Sequence, residues 1–175
     1  MKIGGKLLER KTGGRSRYWQ VFWLCFAVAA ALFLPHCIID GLNGDFFHYA
    51  GDFNDQQISF YSYANNFVKQ GGSFSWATDL GSGFVNSYSF YLCGSPFFWL
   101  SFLFPASAFP YLVGWIYMLK YAVAGLTSFA YFRRSASEKS ALLGSVLYAF
   151  SGFSCINVVF YHFHDVIALF PLLML

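Results

Sequence analysis

The chain has 175 residues, of which 57% are hydrophobic, 23% are aromatic and only 11% are charged. A soluble domain of this length could not bury so much aromatic surface in one core, so the composition excludes an ordinary water-soluble protein. The composition is typical of a polytopic membrane protein, and we expect membrane lipids but no nucleic acid among its partners. Because the chain ends inside an apolar run, we expect it to be the N-terminal part of a longer protein.

The first predicted elements are a basic tail and a membrane span. Residues 1–17 contain six basic side chains and one acidic side chain. The apolar run at 18–39 is long enough to cross about 30 Å of hydrocarbon. A signal peptide is the alternative, but the run is long for one, and Tyr18, Trp19 and Trp23 stand at its inner end as anchors do. We therefore predict an uncleaved span with a cytoplasmic N-terminus.

The region 40–108 is predicted to be an external loop. Its first part, 40–89, contains five aspartates and a single lysine. Within it, apolar residues recur at helical spacing over 55–70, which predicts an amphipathic helix lying in the membrane interface. The glycine pair that begins at Gly71 predicts the end of this helix. The segment 90–108 is apolar but interrupted by Gly and Pro, so we expect a re-entrant or interfacial segment there.

The second half of the chain is predicted to contain three further membrane segments. A second span covers 109–132, and the loop 133–139 carries three basic residues, which is typical of a cytoplasmic turn. A third span covers 140–160, an external link covers 161–165, and a fourth span begins at 166–175. The predicted fold class is therefore an all-α polytopic membrane protein.

The densest polar stretch is Gly51–Gln57, which holds two carboxylates and three side-chain amides. Asp52 is the candidate catalytic residue, because Gly51 permits a backbone turn that could aim its carboxylate into a cleft. The alternative is structural: Asp52 or Asn54 would cap the following helix, and Asp55, Gln56 or Gln57 would lie in its first turn.

A second polar cluster, His162–Asp165, would lie on the same outer side in this topology. His164 and Asp165 are candidate ligands for a divalent metal or a phosphate, and an ordinary polar turn between two spans is the alternative. Lys120 stands in the middle of the second span, where a charge costs about 3 kcal/mol on insertion scales. It would pair with a lipid-linked phosphate or with an aspartate from the loop, unless the span is shorter than predicted or the side chain snorkels.

The order of these features resembles the start of the YfhO-type bacterial membrane proteins. The resemblance extends over essentially the whole chain and depends on several motifs, which are Gly51-Asp52 followed by Gln56 or Gln57, Lys120 with Ala124-Gly125-Leu126, Arg133-Arg134, and Leu147-Tyr-Ala-Phe-Ser-Gly-Phe153. Members of this family have a dozen or so spans. The resemblance implies a GT-C-like helical bundle whose first outer loop carries a functional aspartate.

The resemblance also implies an activity, the transfer of a sugar from a polyprenyl-phosphate donor to a cell-envelope acceptor such as teichoic acid. Asp52 would be the base that deprotonates the acceptor. The residues expected to bind substrate are polar and come from both clusters and the second span: Asp55, Gln56, Lys120 and His164. A divalent metal, if one is used, would be held by Asp52, His164 and Asp165. A transporter, flippase or assembly subunit that handles lipid-linked sugars without chemistry is the alternative function.

Overall fold

The computed structural model describes residues 5–175, with side chains described from Ser16 onward except that of Phe90. This part of the chain is mostly helical and has almost no strand, and the predicted all-α membrane fold class is confirmed. Its α-helices are α1 (Gly5–Leu42), α2 (Ser59–Lys69), α3 (Phe84–Tyr88), α4 (Pro96–Ser101), α5 (Phe109–Phe132), α6 (Glu138–Ala149), α7 (Gly152–Ile156) and α8 (Phe163–Leu173).

Shorter elements connect these helices. They are π-helical turns at Phe53–Ile58 and Ser89–Cys93, and 3₁₀ turns at Ala106–Ala108 and Asn157–Val159. The strands β1 (Phe74–Ser75) and β2 (Ser82–Gly83) pair antiparallel in the loop. Three helical stretches among the described residues are long and apolar enough to cross a membrane: Ser16–Leu42, Ala106–Phe132 and Glu138–Val159.

Helix α5 is the central element of the bundle. It has the same bounds as the predicted second span, 109–132, and α1, α6 and α8 all pack against it. In the most apolar 18 residues of the stretch that contains α5, 72% of the residues are buried within the protein. In the corresponding 18 residues of α1, only 17% are buried. The protein core is therefore built around α5, and α1 lies at the edge of the bundle.

Helix α1 packs on α5 through a narrow stripe of its surface. The buried residues recur at every fourth position: Val21, Cys25, Ala29 and Phe33. Residues four apart lie on one face of a helix, while the exposed remainder of α1 includes Trp19 and Trp23. The stripe meets two glycines of α5, Gly114 and Gly125, which approach Cys37 and Cys25 respectively. Small residues at such contacts let two helix backbones come close in a membrane.

We expect Gly125→Ala to destabilise the bundle by about 1–3 kcal/mol, because it overpacks the contact between α1 and α5. A Cβ atom at position 125 would press on the Cys25 sulfur and lie 3.1 Å from the Cys25 Cβ atom. Thermal unfolding of the full-length protein in detergent measures the effect. The double variant Cys25→Ala/Gly125→Ala should be more stable than Gly125→Ala alone, and Gly152→Ala, where the added methyl meets open space, is the matched control.

Ion pairs bring the N-terminal segment and the 133–139 loop to the same end of the bundle. Arg17 Nε lies 3.7 Å from a Glu138 carboxylate oxygen, and Arg133 lies 3.4 Å from the other oxygen of that carboxylate. The basic side chains at positions 2–15 of the predicted tail lie outside the described residues. The assignment of this end to the cytoplasm stays a prediction.

The chain from α6 to α8 rises beside α5 and then turns back. The hydroxyls of Tyr121 and Tyr117 donate to the carbonyls of Ser154 (3.2 Å) and Val158 (2.5 Å), so the chain after α6 climbs along α5. Tyr117 is eight residues into α5, about 12 Å from its first residue at 1.5 Å per residue. The turn is therefore made well below the outer end of α5.

Helix α8 then runs back alongside the C-terminal half of α5. Asp165 contacts Lys120, and the Thr127 hydroxyl donates to the Ala168 carbonyl at 2.8 Å. Asp165 of the predicted link 161–165 consequently lies level with the middle of α5. The membrane side to which it opens stays a prediction.

The loop between α1 and α5 folds over the N-terminal half of α5. The predicted helix of this loop begins with the π-helical turn and continues as α2, and Gly71 follows it with a φ of +70°. Its buried face is covered by protein: the Tyr61 ring stacks on Phe109 at 4.5 Å and meets the edge of Phe98 at 5.3 Å. Asn65 donates to the Ser101 carbonyl at 3.0 Å. Helix α2 is thereby fixed to the 90–108 segment as well as to α5.

Candidate functional site

The turn at Gly51 presents the Asp52 side chain without using it as a helix cap. Gly51 has a φ of +56°, as its predicted role in a backbone turn requires. Its carbonyl accepts hydrogen bonds from the amides of Asn54 (3.0 Å) and Asp55 (3.3 Å), so the first turn of the helix is closed by backbone. The Asp52 side chain makes no capping bond and instead accepts from the Gln56 amide at 3.2 Å.

The other side chains of this stretch have separate roles. Asn54 binds back to the Tyr49 backbone through both its oxygen and its nitrogen, which holds the preceding turn in place. Asp55 is exposed in the first turn of the helix. Gln57 is only 2% exposed, and its amide oxygen lies 3.4 Å from His162 Nδ1. Gln57, predicted as a plain helix-start residue, therefore contacts the second polar cluster.

Tyr91 makes a second connection between the two polar clusters. Its hydroxyl donates to the Gln56 side-chain oxygen at 3.4 Å, and its ring meets the His162 ring edge-on at 4.8 Å. Contacts thus run from Asp52 through Gln56 and Tyr91 to His162. The two stretches that topology predicted to share one side of the bundle are in direct contact in the folded chain.

Lys120 and Asp165 form a buried ion pair between α5 and α8. Lys120 Nζ lies 2.7 Å from Asp165 Oδ1, and the lysine side chain is completely buried. The ammonium also donates to the Tyr161 carbonyl at 2.9 Å and lies 3.1 Å from the centre of the Tyr161 ring. A lysine with these partners is stabilised within the core. Of the two predicted partners of Lys120, the geometry supports an aspartate, although it comes from the 161–165 link rather than from the first loop.

His164 is buried in the interior of the bundle. Its Nε2 atom lies 3.0 Å from the Ser154 carbonyl and 3.2 Å from the Tyr121 hydroxyl, and the residue is 2% exposed. A carbonyl only accepts, so Nε2 carries the hydrogen. His164 therefore joins α8 to α7 and α5.

The predicted metal ligands Asp52, His164 and Asp165 are not brought together. Among the residues that the structure describes, no group of three or more His, Cys, Asp or Glu side chains is arranged to hold a metal ion. Each of the three also has another partner: the Gln56 amide, the Ser154 carbonyl and the Lys120 ammonium. The donor set does not fit a divalent metal in this arrangement.

A cavity of about 320 Å³ opens beside the ion pair. Its polar end is formed by Tyr91, Ser95, His162 and Asp165, and its volume is in the range typical of small-molecule sites. Ser95 also accepts a hydrogen bond from the Phe98 amide at 3.1 Å, which begins α4 beside the cavity. The cavity therefore lies where the outer loop meets the start of α8.

Protonation of His162 should make the fold less stable in mild acid. Burial is the largest influence on the pKa of His162 and lowers it below the ordinary value of 6.5. The Asp165 carboxylate raises this pKa and the Lys120 ammonium lowers it, and the net result is a lowered pKa. Below pH 6.5 the unfolded chain binds this proton more readily than the folded chain, so stability falls as the pH decreases. His162→Asn should reduce the loss of melting temperature between about pH 7.5 and 5.5. If the melting temperatures of both proteins depend on pH in the same way, His162 does not contribute to the loss of stability in mild acid.

Sequence reasoning missed three residues of this region: Gln57, Tyr91 and Tyr161. Gln57 looked like one polar residue among several at a helix start. The two tyrosines are among 12 tyrosines and 23 phenylalanines in the chain, so nothing in the pattern distinguished them. The available signal was the predicted placement of 51–57 and 161–165 on the same side of the bundle. Residues that lie between these two stretches in the fold would then be candidates for the site.

Comparison with known proteins gives one match. The family described as bacterial membrane protein YfhO matches residues 22–175, which is most of the chain. No curated protein and no solved structure matches the chain. The match runs from Phe22 in α1 to the end of α8, which includes both polar clusters and Lys120, and it agrees with the apolar helices that place the protein in a membrane. The chain belongs to the YfhO family of bacterial membrane proteins.

Proposed function

We propose that this protein is a membrane glycosyltransferase of the GT-C type. It would transfer a sugar from a polyprenyl-phosphate donor to a cell-envelope acceptor, such as teichoic acid, on the outer face of the membrane. The main support is the series of contacts that joins the Asp52 carboxylate to the cavity through Gln56 and Tyr91. A candidate base and a pocket for a small molecule then belong to one site.

The proposed reaction needs one base and no strong acid. The bond between the sugar carbon and the phosphate oxygen breaks, and the acceptor oxygen forms a new bond to that carbon. The acceptor's proton passes to the Asp52 carboxylate, which is half-buried and held by the Gln56 amide. Polyprenyl phosphate leaves as a phosphate monoester, whose second pKa is about 6. Such a leaving group departs near neutral pH without being protonated.

A transporter or flippase for the same lipid-linked sugar is the second candidate. The observation that favours it is the buried ion pair that Lys120, in a candidate membrane span, forms with Asp165 of the shorter apolar helix α8. Ionisable residues inside membrane segments often mark the path of a substrate or an ion. In this protein, however, the two charges neutralise each other, so the pair also has a purely structural explanation.

Vesicles that contain the full-length protein separate these two functions. A polyprenyl-phosphate donor with a radiolabelled sugar is added together with purified teichoic acid. A transferase moves the label to the polymer and releases polyprenyl phosphate, and we expect this result. Intact donor that has only changed leaflet, with no label on the polymer, would instead establish the flippase and contradict the transferase proposal.

A further inference from the structure

The cavity beside the ion pair has one polar end and one apolar wall. The polar end is formed by Tyr91, Ser95, His162 and Asp165, level with the middle of α5. The wall consists of residues that share one face of α8 at positions i, i+3, i+4 and i+7: Val166, Leu169, Phe170 and Leu173. Since α8 descends beside α5, the wall runs from the polar end towards the inner end of the bundle. This shape suits a molecule with a polar head and a hydrocarbon chain.

The polar end carries no uncompensated charge. Asp165 forms an ion pair with Lys120 at 2.7 Å, and the lysine side chain is completely buried. His162 is neutral at pH 7 because burial lowers its pKa. None of the residues that line the cavity in the described structure is a lysine or an arginine. An anionic head group would therefore meet a carboxylate whose balancing cation is already bound, which is unfavourable in a site of low dielectric.

Two groups at the polar end, the Asp165 carboxylate and the His162 ring, offer hydrogen-bond acceptors to a ligand. The carboxylate of Asp165 only accepts. The Gln57 oxygen faces His162 Nδ1 at 3.4 Å, so Nδ1 carries the hydrogen and Nε2 is left as an acceptor. Hydroxyl groups can donate to both acceptors, whereas a phosphate dianion has no hydrogen to donate. The rings of Tyr91 and His162, 4.8 Å apart, add an aromatic surface against which the C–H face of a sugar can pack.

We propose that this cavity binds an uncharged lipid with a hydroxyl-bearing head, namely a neutral glycolipid. Its head lies against Asp165 and His162, and its chain lies along the wall of α8. Binding itself follows from the charge balance and shape of the cavity. The role of this glycolipid as an acceptor-side substrate rests on the proposed transferase function.

Lipid binding to the full-length protein in phosphatidylcholine nanodiscs tests this proposal. Three probes are compared: monoglucosyl diacylglycerol, phosphatidylglycerol and polyprenyl monophosphate. We expect the glucosyl lipid to bind at least about tenfold more tightly than phosphatidylglycerol, because the latter brings a negative charge to the Asp165 carboxylate. Equal affinities for the two lipids, or no binding of the glucosyl lipid, would overturn the proposal.

Two double variants test the polar end without leaving a buried charge unpaired. Lys120→Met/Asp165→Asn removes both charges but keeps an acceptor for hydroxyls, so the glucosyl lipid should bind within about threefold of the native protein. Lys120→Met/Asp165→Leu also removes that acceptor and should weaken binding by about tenfold to a hundredfold. Both pairs should fold, because replacing a buried ion pair with uncharged residues is often neutral for stability.

Polyprenyl monophosphate separates failure of this proposal from failure of the proposed function. If it binds tightly and loses its affinity in both double variants, the cavity holds the donor's phosphate through Lys120. That result overturns the glycolipid proposal and leaves the transferase intact. If the glucosyl lipid binds as expected but no sugar transfer occurs in vesicles, the glycolipid site stands and the transferase proposal fails.

Discussion

Asp52→Asn should lower the rate of sugar transfer by about 100- to 10,000-fold, the usual contribution of a positioned general base. Asparagine has nearly the same shape as aspartate, and its oxygen can still accept the Gln56 amide that lies 3.2 Å from the native carboxylate. The turn itself depends on Gly51 and backbone hydrogen bonds, so folding and membrane insertion should not change. Initial rates of label transfer to teichoic acid, at saturating donor, measure the effect.

Asp79→Asn is the matched control for this substitution. Asp79 is an exposed aspartate of the same loop with a φ of +46°, a conformation that asparagine tolerates as well as aspartate does. The Asp79→Asn variant should transfer sugar at the native rate. If Asp52→Asn also keeps the native rate while it is correctly inserted, Asp52 is not the base.

Lys120→Met should destabilise the full-length protein by about 3–5 kcal/mol, the usual cost of removing one partner from a buried ion pair. The substitution leaves the Asp165 carboxylate almost buried without the ammonium that lies 2.7 Å from it. It also removes the donor to the Tyr161 carbonyl. Asp165→Leu should lower the free energy of unfolding by a similar amount, because it leaves the completely buried Lys120 ammonium without its counter-charge. Unfolding of the purified protein in mixed detergent micelles gives the free energies.

The double variant Lys120→Met/Asp165→Leu is the decisive comparison. It removes both charges together, so it should be much more stable than the sum of the two single effects predicts. Additive losses would show that the two side chains do not depend on each other. The ion pair would then not be the contact that fixes α8 to α5.

Several features could be predicted because they depend on local sequence. The bounds of α5 follow from an apolar run that ends at two arginines, and the turn before Asp52 follows from a glycine at position 51. The preference of Lys120 for a carboxylate also follows, since a charge within a span needs a partner. Its actual partner, Asp165, is 45 positions away, and no local pattern indicates which of the chain's aspartates folds back to it.

The depth of the second polar cluster could not be predicted from apolar length. The run from 140 to 160 is long enough for a span if it forms one straight helix. Instead α6 ends at Ala149, and Ser151 caps α7 by accepting from the Ser154 amide. After this break the chain brings Asp165 to Lys120, which is at the middle of α5. Tyr91 and Tyr161 were missed for another reason: in a chain so rich in aromatic residues, composition cannot separate a site tyrosine from a core one.

The central position of α5 sets an order for assembly in the membrane. The buried stripe of α1 packs mainly on α5, which is synthesised only after the whole 43–108 loop. A newly inserted α1 must therefore keep this stripe against lipid until α5 enters beside it. Helices α6 and α8 likewise have their principal partner in α5. Membrane helices commonly insert first and associate afterwards, and in this protein the arrival of α5 is the event on which every later association depends.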